Sequence, residues 1–134
     1  MSKILVDTSV WIAYFKGDEK IKDLDREIDA NRICVNELIL SELLPAVILK
    51  SENRLADLLE SVNKLPLNID WEEIREYQLI NLRQGINKVG IPDLIILQNA
   101  VSSGVDLLTL DKHFKLMAKH IDFEINILDQ FFNN

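Results

Sequence analysis

Hydrophobic positions along the chain switch repeatedly between short continuous runs and helical spacing. Lys3–Asp7 (K-I-L-V-D) is an apolar run that stops at an acid, as a strand buried on both faces does. Val10, Ile12, Ala13 and Tyr14 then fall near helical spacing and predict a helix over Thr8–Phe15. Asp18 is placed to cap a second helix, whose apolar residues Ile21, Leu24 and Ile28 stand three and four apart. Arg32–Val35 predicts the next strand, and Asn36 is the N-cap of a helix running to about Leu49. Leu55, Leu58, Leu59 and Val62 mark an amphipathic helix, and Leu65–Ile69 predicts a short strand.

The second half repeats the alternation. Asp70 with Glu73 three residues later forms a capping-box pattern, opening a helix that carries Trp71, Ile74, Tyr77 and Ile80 and ends near Gly85. Gly90-Ile91-Pro92 breaks the chain, and Pro92 suits the first turn of a helix over Asp93–Ser102. Val105–Leu110 predicts a strand, Lys112–His120 a helix and Ile125–Leu128 a last strand. Strands separated by helices predict an α/β fold: one domain over residues 1–134, with a central parallel sheet of about five strands and helices on both faces. In such sheets ligands bind outside the carboxyl ends of the strands, at a topological switch point. The position of each acid therefore becomes a functional question.

Composition narrows the classes. With 134 residues, 48% hydrophobic and 28% charged, the chain has the make-up of a folded globular domain. The longest apolar run, Leu43 to Leu49, contains Pro45 and predicts no membrane span. The N-terminus meets Asp7 before a signal-peptide apolar region could form, and the single cysteine, Cys34, fits a reducing, cytoplasmic setting and a place in the core. The net charge is −7, spread over both halves, which excludes a protein that finds nucleic acid by bulk attraction. Acids that hold a metal ion are the exception to that argument.

Most of the 22 acids, Glu19, Asp23, Glu27, Glu72 and Glu76 among them, fall on predicted solvated faces. Four resist that reading. Asp7 and Asp111 each close a strand; each also has the place of a helix N-cap. Glu42 has Leu38, Ile39, Pro45 and Ala46 at helical spacing, so it is expected on an apolar side, in need of a cation or a salt-bridge partner. Asp93 opens a helix continued by Leu94-Ile95-Ile96-Leu97, where it either meets the helix dipole or joins a site. Carboxylates converging on one sheet edge repel one another unless a divalent cation sits among them. Oxygen ligands without Cys or His suit Mg²⁺ or Mn²⁺. His113 and His120 stand at no zinc-ligand spacing, and there is no Gly-rich phosphate loop or GxSxG elbow.

I-L-V-D-T-S-V-W-I at 4–12, S-E-L-L at 41–44, I-P-D-L-I-I-L at 91–97 and L-L-T-L-D-K-H-F at 107–114 resemble the four motifs of PIN-domain ribonucleases, most closely the VapC-type toxins of toxin–antitoxin pairs. The resemblance implies Asp7, Glu42, Asp93 and Asp111 as metal-binding carboxylates for Mg²⁺ or Mn²⁺. It implies a hydroxyl from Thr8 or Ser9 near the metal or phosphate, and a polar group from Thr109 beside Asp111. The implied activity is hydrolysis of phosphodiester bonds in a structured RNA such as tRNA or rRNA, and the implied partners are a small antitoxin protein and a second copy in a homodimer. Two positions depart from the pattern: Leu110 stands where many relatives carry a polar residue, and Ile96-Leu97-Gln98-Asn99 replaces smaller ones. Lys112, Lys115, Lys88 and Arg83 are the cations expected near the site edge, and Trp11, Tyr14, Phe15 and Leu44 are either core or partner surface.

Competing readings are a haloacid-dehalogenase-type phosphatase, which needs an Asp where Ser9 stands, and a response-regulator receiver, which needs an acidic pair at the first site. A non-catalytic binding module of the same fold and an RNA-processing nuclease without an antitoxin complete the set.

Overall fold

The structure, a computed structural model, describes residues 2–131. Five strands, β1 (Ile4–Val6), β2 (Ile33–Val35), β3 (Asn63–Lys64), β4 (Asp106–Leu108) and β5 (Ile127–Leu128), form one sheet in the order β3-β2-β1-β4-β5. Every pairing is parallel, with Ile4 opposite both Ile33 and Asp106, and Val6 opposite Leu108. Seven helices connect them: α1 (Thr8–Phe15), α2 (Leu24–Asp29), α3 (Glu37–Leu49), α4 (Asn53–Ser61), α5 (Trp71–Arg83), α6 (Ile91–Ser103) and α7 (His113–Ala118). From β1 the chain steps outward to β2 and β3, then crosses back to β4 and β5 on the far side. The right-handed sense of parallel crossovers therefore puts the helices on opposite faces for the two halves. It also makes the gap between the carboxyl ends of β1 and β4 the topological switch point.

The centre of the sheet is wholly apolar. Leu5, Val6, Cys34, Leu107 and Leu108 are buried, with Val10, Leu94, Ile96 and Phe114 packed over them. Trp11 is buried as well, and its indole Nε1 donates to the Val6 carbonyl at 3.1 Å, so it belongs to the core and not to a partner surface.

Two predicted elements and the placement of one acid differ from what is observed. Residues 65–69 form no strand: β3 stops at Lys64, Leu65 makes the last bond to the Val35 carbonyl, and Pro66 has no N–H to continue. The helix expected from Asp18 is divided, because the Asp18 carboxylate accepts from the Lys20 amide and closes a 3₁₀ turn, Glu19–Ile21; α2 begins only at Leu24. Glu27, expected on a solvated face, is buried and paired with Arg32, a side chain from beyond the end of its own helix. A buried carboxylate is tolerated there because a guanidinium neutralises it.

One polar network sets the spacing of the site-bearing helices. Asn36 Oδ1 accepts from the Ile39 amide at 2.8 Å and caps α3, while its Nδ2 donates to Asn99 Oδ1 at 2.8 Å in the middle of α6. Asn99 Nδ2 donates in turn to the Pro66 carbonyl at 2.9 Å. Asn36 and Asn99 are both buried, so each bond replaces one that water would otherwise make. Asn36→Ala removes the cap and strands the Asn99 carbonyl; it is expected to cost about 2–3 kcal/mol, read as a lowered urea midpoint.

Candidate active site

Strand β1 ends one residue before Asp7, and its fixed register delivers that carboxylate to the switch point. Asp7 is only 5% exposed. It starts α1 but does not cap it: its side chain bonds no helix amide. Instead Asp7 Oδ2 accepts from Ser9 Oγ at 2.9 Å and from Thr109 Oγ1 at 2.8 Å. Thr109, just past β4, accepts the Asp111 amide at 3.0 Å, and Ser9 Oγ accepts the Leu110 amide at 3.0 Å. Leu110 thus contributes its backbone N–H where its side chain offers no polar atom.

The two candidate hydroxyls of α1 divide their work. Ser9 serves Asp7, whereas Thr8 Oγ1 donates to Glu42 Oε1 at 2.7 Å. Glu42 departs from expectation, for it is exposed. Its apolar neighbours wall an open groove of about 250 Å³ between α1, α3 and α4, lined by Ile12, Phe15, Leu43, Val47 and Leu55, and Glu42 stands at its polar lip.

Asp93, in the first turn of α6, is partly buried, and its carboxyl is pushed up to about 6. Burial is the main cause, followed by the negative charges of Asp7 and Asp111 and, more weakly, Glu42; the Gly90 backbone opposes them. Asp7, Asp111 and Glu42 are therefore each near enough for their charge to act on Asp93. Asp111 is turned aside: its Oδ1 accepts from the His113 amide at 2.9 Å and from the His113 ring, Nδ1 at 2.8 Å. Sequence reasoning placed His113 next to Asp111 but missed this bond; the two-residue spacing of an Asx turn was the available signal.

Among the described residues, no three Asp, Glu, His or Cys side chains are arranged to hold a metal ion as they stand. The four acids share an edge, with Glu42 bonded to Thr8 and Asp111 to His113. The donor set, carboxylate and hydroxyl oxygen with no thiolate, has the chemistry of a hard divalent cation site. Of the expected cations, Lys115 is held by Asp129 at 2.8 Å, whereas Arg83, Lys88 and Lys112 make no ion pair among the described residues. Among the described residues, no helix is long and apolar enough to cross a membrane.

Comparison with known proteins agrees with this architecture. The family model of the PIN domain matches residues 4–120. Among solved structures, FitAcB from Neisseria gonorrhoeae superposes with a TM-score of 0.65 at 17% identity, over 94% of this chain and 96% of that one. VapBC2 from Rickettsia felis, bound to a DNA fragment from its promoter, gives 0.65 at 16% identity over 92% and 96%. DNA-bound VapBC from Salmonella typhimurium gives 0.60 at 21% identity over 95% and 97%. No curated protein sequence matches.

The raised Asp93 carboxyl has a thermodynamic signature. Between the unfolded value of 3.8 and about 6, the folded state holds the extra proton, so stability falls as pH rises through that window. Asp93→Asn is expected to make the metal-free protein more stable than wild type by about 1–2 kcal/mol above pH 6, with the gap closing near pH 4. Urea titrations of both proteins at several pH values measure it.

Proposed function

The chain belongs to the PIN-domain family, and on that premise we propose that it is a metal-dependent endoribonuclease acting on a structured RNA, tRNA or rRNA, as the toxin of a toxin–antitoxin pair. The observation that carries the reading is the placement of Asp7 and Asp111 after β1 and β4, with the half-buried Asp93 carboxyl at the start of α6 raised by burial and by the charges of Asp7, Asp111 and Glu42. Acids placed to repel Asp93 need a purpose, and a hard cation bound against a phosphodiester supplies one.

Asp7 and Asp93 are the principal ligands in this reading, with Glu42 and Asp111 completing the set. A bound Mg²⁺ or Mn²⁺ supplies Lewis-acid charge at the scissile phosphate. The chain's own groups supply the positioning. Ser9 and Thr109 fix one oxygen of Asp7. Thr8 holds Glu42 at the lip of the groove, and His113 orients Asp111. The net charge of −7 keeps general RNA affinity low, so recognition rests on a few local contacts.

The partner reading rests on surface. The groove of α1, α3 and α4 is mostly apolar, open to solvent and runs up to Glu42, which suits a short segment of an antitoxin. A toxin–antitoxin complex from Klebsiella pneumoniae is also among the similar solved structures, which supports the same assignment. Leu79 and Leu82, exposed on α5, support the homodimer.

Purified protein titrated with Mg²⁺ or Mn²⁺ is expected to cut end-labelled tRNA or rRNA at discrete positions. Asp7→Asn and Asp93→Asn each lower the rate by more than about a hundredfold, and Thr109→Val by about tenfold. Cuts that survive both Asn substitutions overturn the assigned site. Absence of cutting together with absence of Mn²⁺ binding by calorimetry leaves a non-catalytic module of this fold.

A further inference from the structure

A second hollow, of about 250 Å³ and sharing no lining residue with the α1–α3–α4 groove, is lined by Gly85, Ile86, Asn87, Lys88, His113 and Leu116. Its two walls are the two segments that deliver site carboxylates. The loop of Gly85 to Lys88 runs directly into the Gly90–Asp93 turn, and His113 bonds Asp111. Gly85 turns the chain at the end of α5 with φ of +75°, a conformation that a side chain would strain. The Ile86 amide ties the loop back to the Asn81 carbonyl at 2.8 Å, so the wall is fixed.

The chemistry of the lining is mixed in a specific way. Ile86 and Leu116 offer apolar surface, Asn87 an exposed amide, and Lys88 an ammonium with no ion-pair partner among the described residues. No acid lines it, although the chain carries 22. The His113 ring is held in one plane, because its Nδ1–H donates to the Asp111 carboxylate. A ring fixed in this way, beside apolar side chains and an amide, is a stacking platform with hydrogen bonding for one unpaired base. At about 250 Å³ the hollow is smaller than the pockets of about 300 to 1,000 Å³ that enclose drug-sized ligands, as a site for a single base should be.

We propose that this hollow seats the base of the nucleotide adjoining the scissile phosphate of the RNA, stacked on His113, with Lys88 on its phosphate. The inference rests on the nuclease reading above and adds a direction to it. RNA lies over the α5–α6 loop and α7, leaving the α1–α3–α4 groove to the protein partner. His113 is a positioning residue as well as a contact, since it also orients Asp111.

The test uses short single-stranded RNAs of random sequence carrying thiouridine, photo-crosslinked to wild-type protein in EDTA, where no cleavage occurs. Crosslinked peptides are expected from 85–88 and 113–116. In the same buffer His113→Ala weakens RNA binding by about tenfold, whereas His113→Phe, which keeps a flat face and loses the bond to Asp111, stays within about twofold of wild type. Lys88→Ala weakens binding severalfold and lowers the salt slope by about one contact. Crosslinks confined to α1 and α3, or binding untouched by His113→Ala, overturn the proposal. Cleavage assays with Mg²⁺ separate the two readings. RNA seated in the hollow, with neither cleavage of tRNA or rRNA nor Mn²⁺ binding, sinks the nuclease and leaves the binding site standing. Cleavage with an unchanged KM in His113→Ala and Lys88→Ala sinks the hollow and leaves the nuclease.

Discussion

The hydrogen bond from the Thr109 hydroxyl to the Asp7 carboxylate joins groups 102 residues apart. It closes the switch point of the sheet, since Asp7 follows β1 and Thr109 follows β4. A carboxylate this deeply buried needs hydrogen-bond donors in place of water. Here Ser9 and Thr109 supply the donors on one oxygen, and two backbone amides, of Leu110 and Asp111, hold those hydroxyls in turn. The site is thus built from the ends of strands outward. Its precision comes from backbone register, and the loops only complete it.

The same edge is also where the fold is least at ease with itself. Asp93 is partly buried against three other acids, and its carboxyl is raised by all of them. Elsewhere the chain avoids that situation: buried Glu27 has Arg32, and buried Asn36 has Asn99 and the Ile39 amide. Apart from Asn81 Oδ1, which is buried without a hydrogen-bond partner, these polar groups are matched in the body of the molecule, whereas Asp93 faces like charges at one end of it. Such a contrast marks a functional edge more sharply than the acids' identities do.

Much of this was legible in the chain. Period changes located all seven helices, and the continuous apolar runs marked four of the five strands, because buried parallel strands leave no alternative reading of K-I-L-V-D or D-L-L. What failed did so locally. Pro66 ended a pairing that the alternation of Leu65, Leu67 and Ile69 suggested, and the Asp18 side chain captured a nearer amide than the helix needed. Glu42 looked buried by spacing, but of its helically spaced neighbours only Ile39 lies in the core, while Pro45 and Ala46 are exposed and Ala46 lines an open groove; helical periodicity cannot tell a core from a cleft. The pairing of Thr8 with Glu42 and the Asn36–Asn99 bridge connect distant segments, and nothing local announces them.

The order of the strands governs when such a molecule comes into being. Strand β1 precedes the other four strands, yet it takes one of its two neighbours from far along the chain, with Ile4 opposite Asp106. Contacts of this sequence separation form late and slowly. Until β4 emerges, Asp7 has neither the Thr109 hydroxyl nor the charge of Asp111 beside it. A nascent chain therefore carries Asp7, Glu42 and Asp93 as separate side chains, and their constellation is complete only once β4 has been made and has paired with β1.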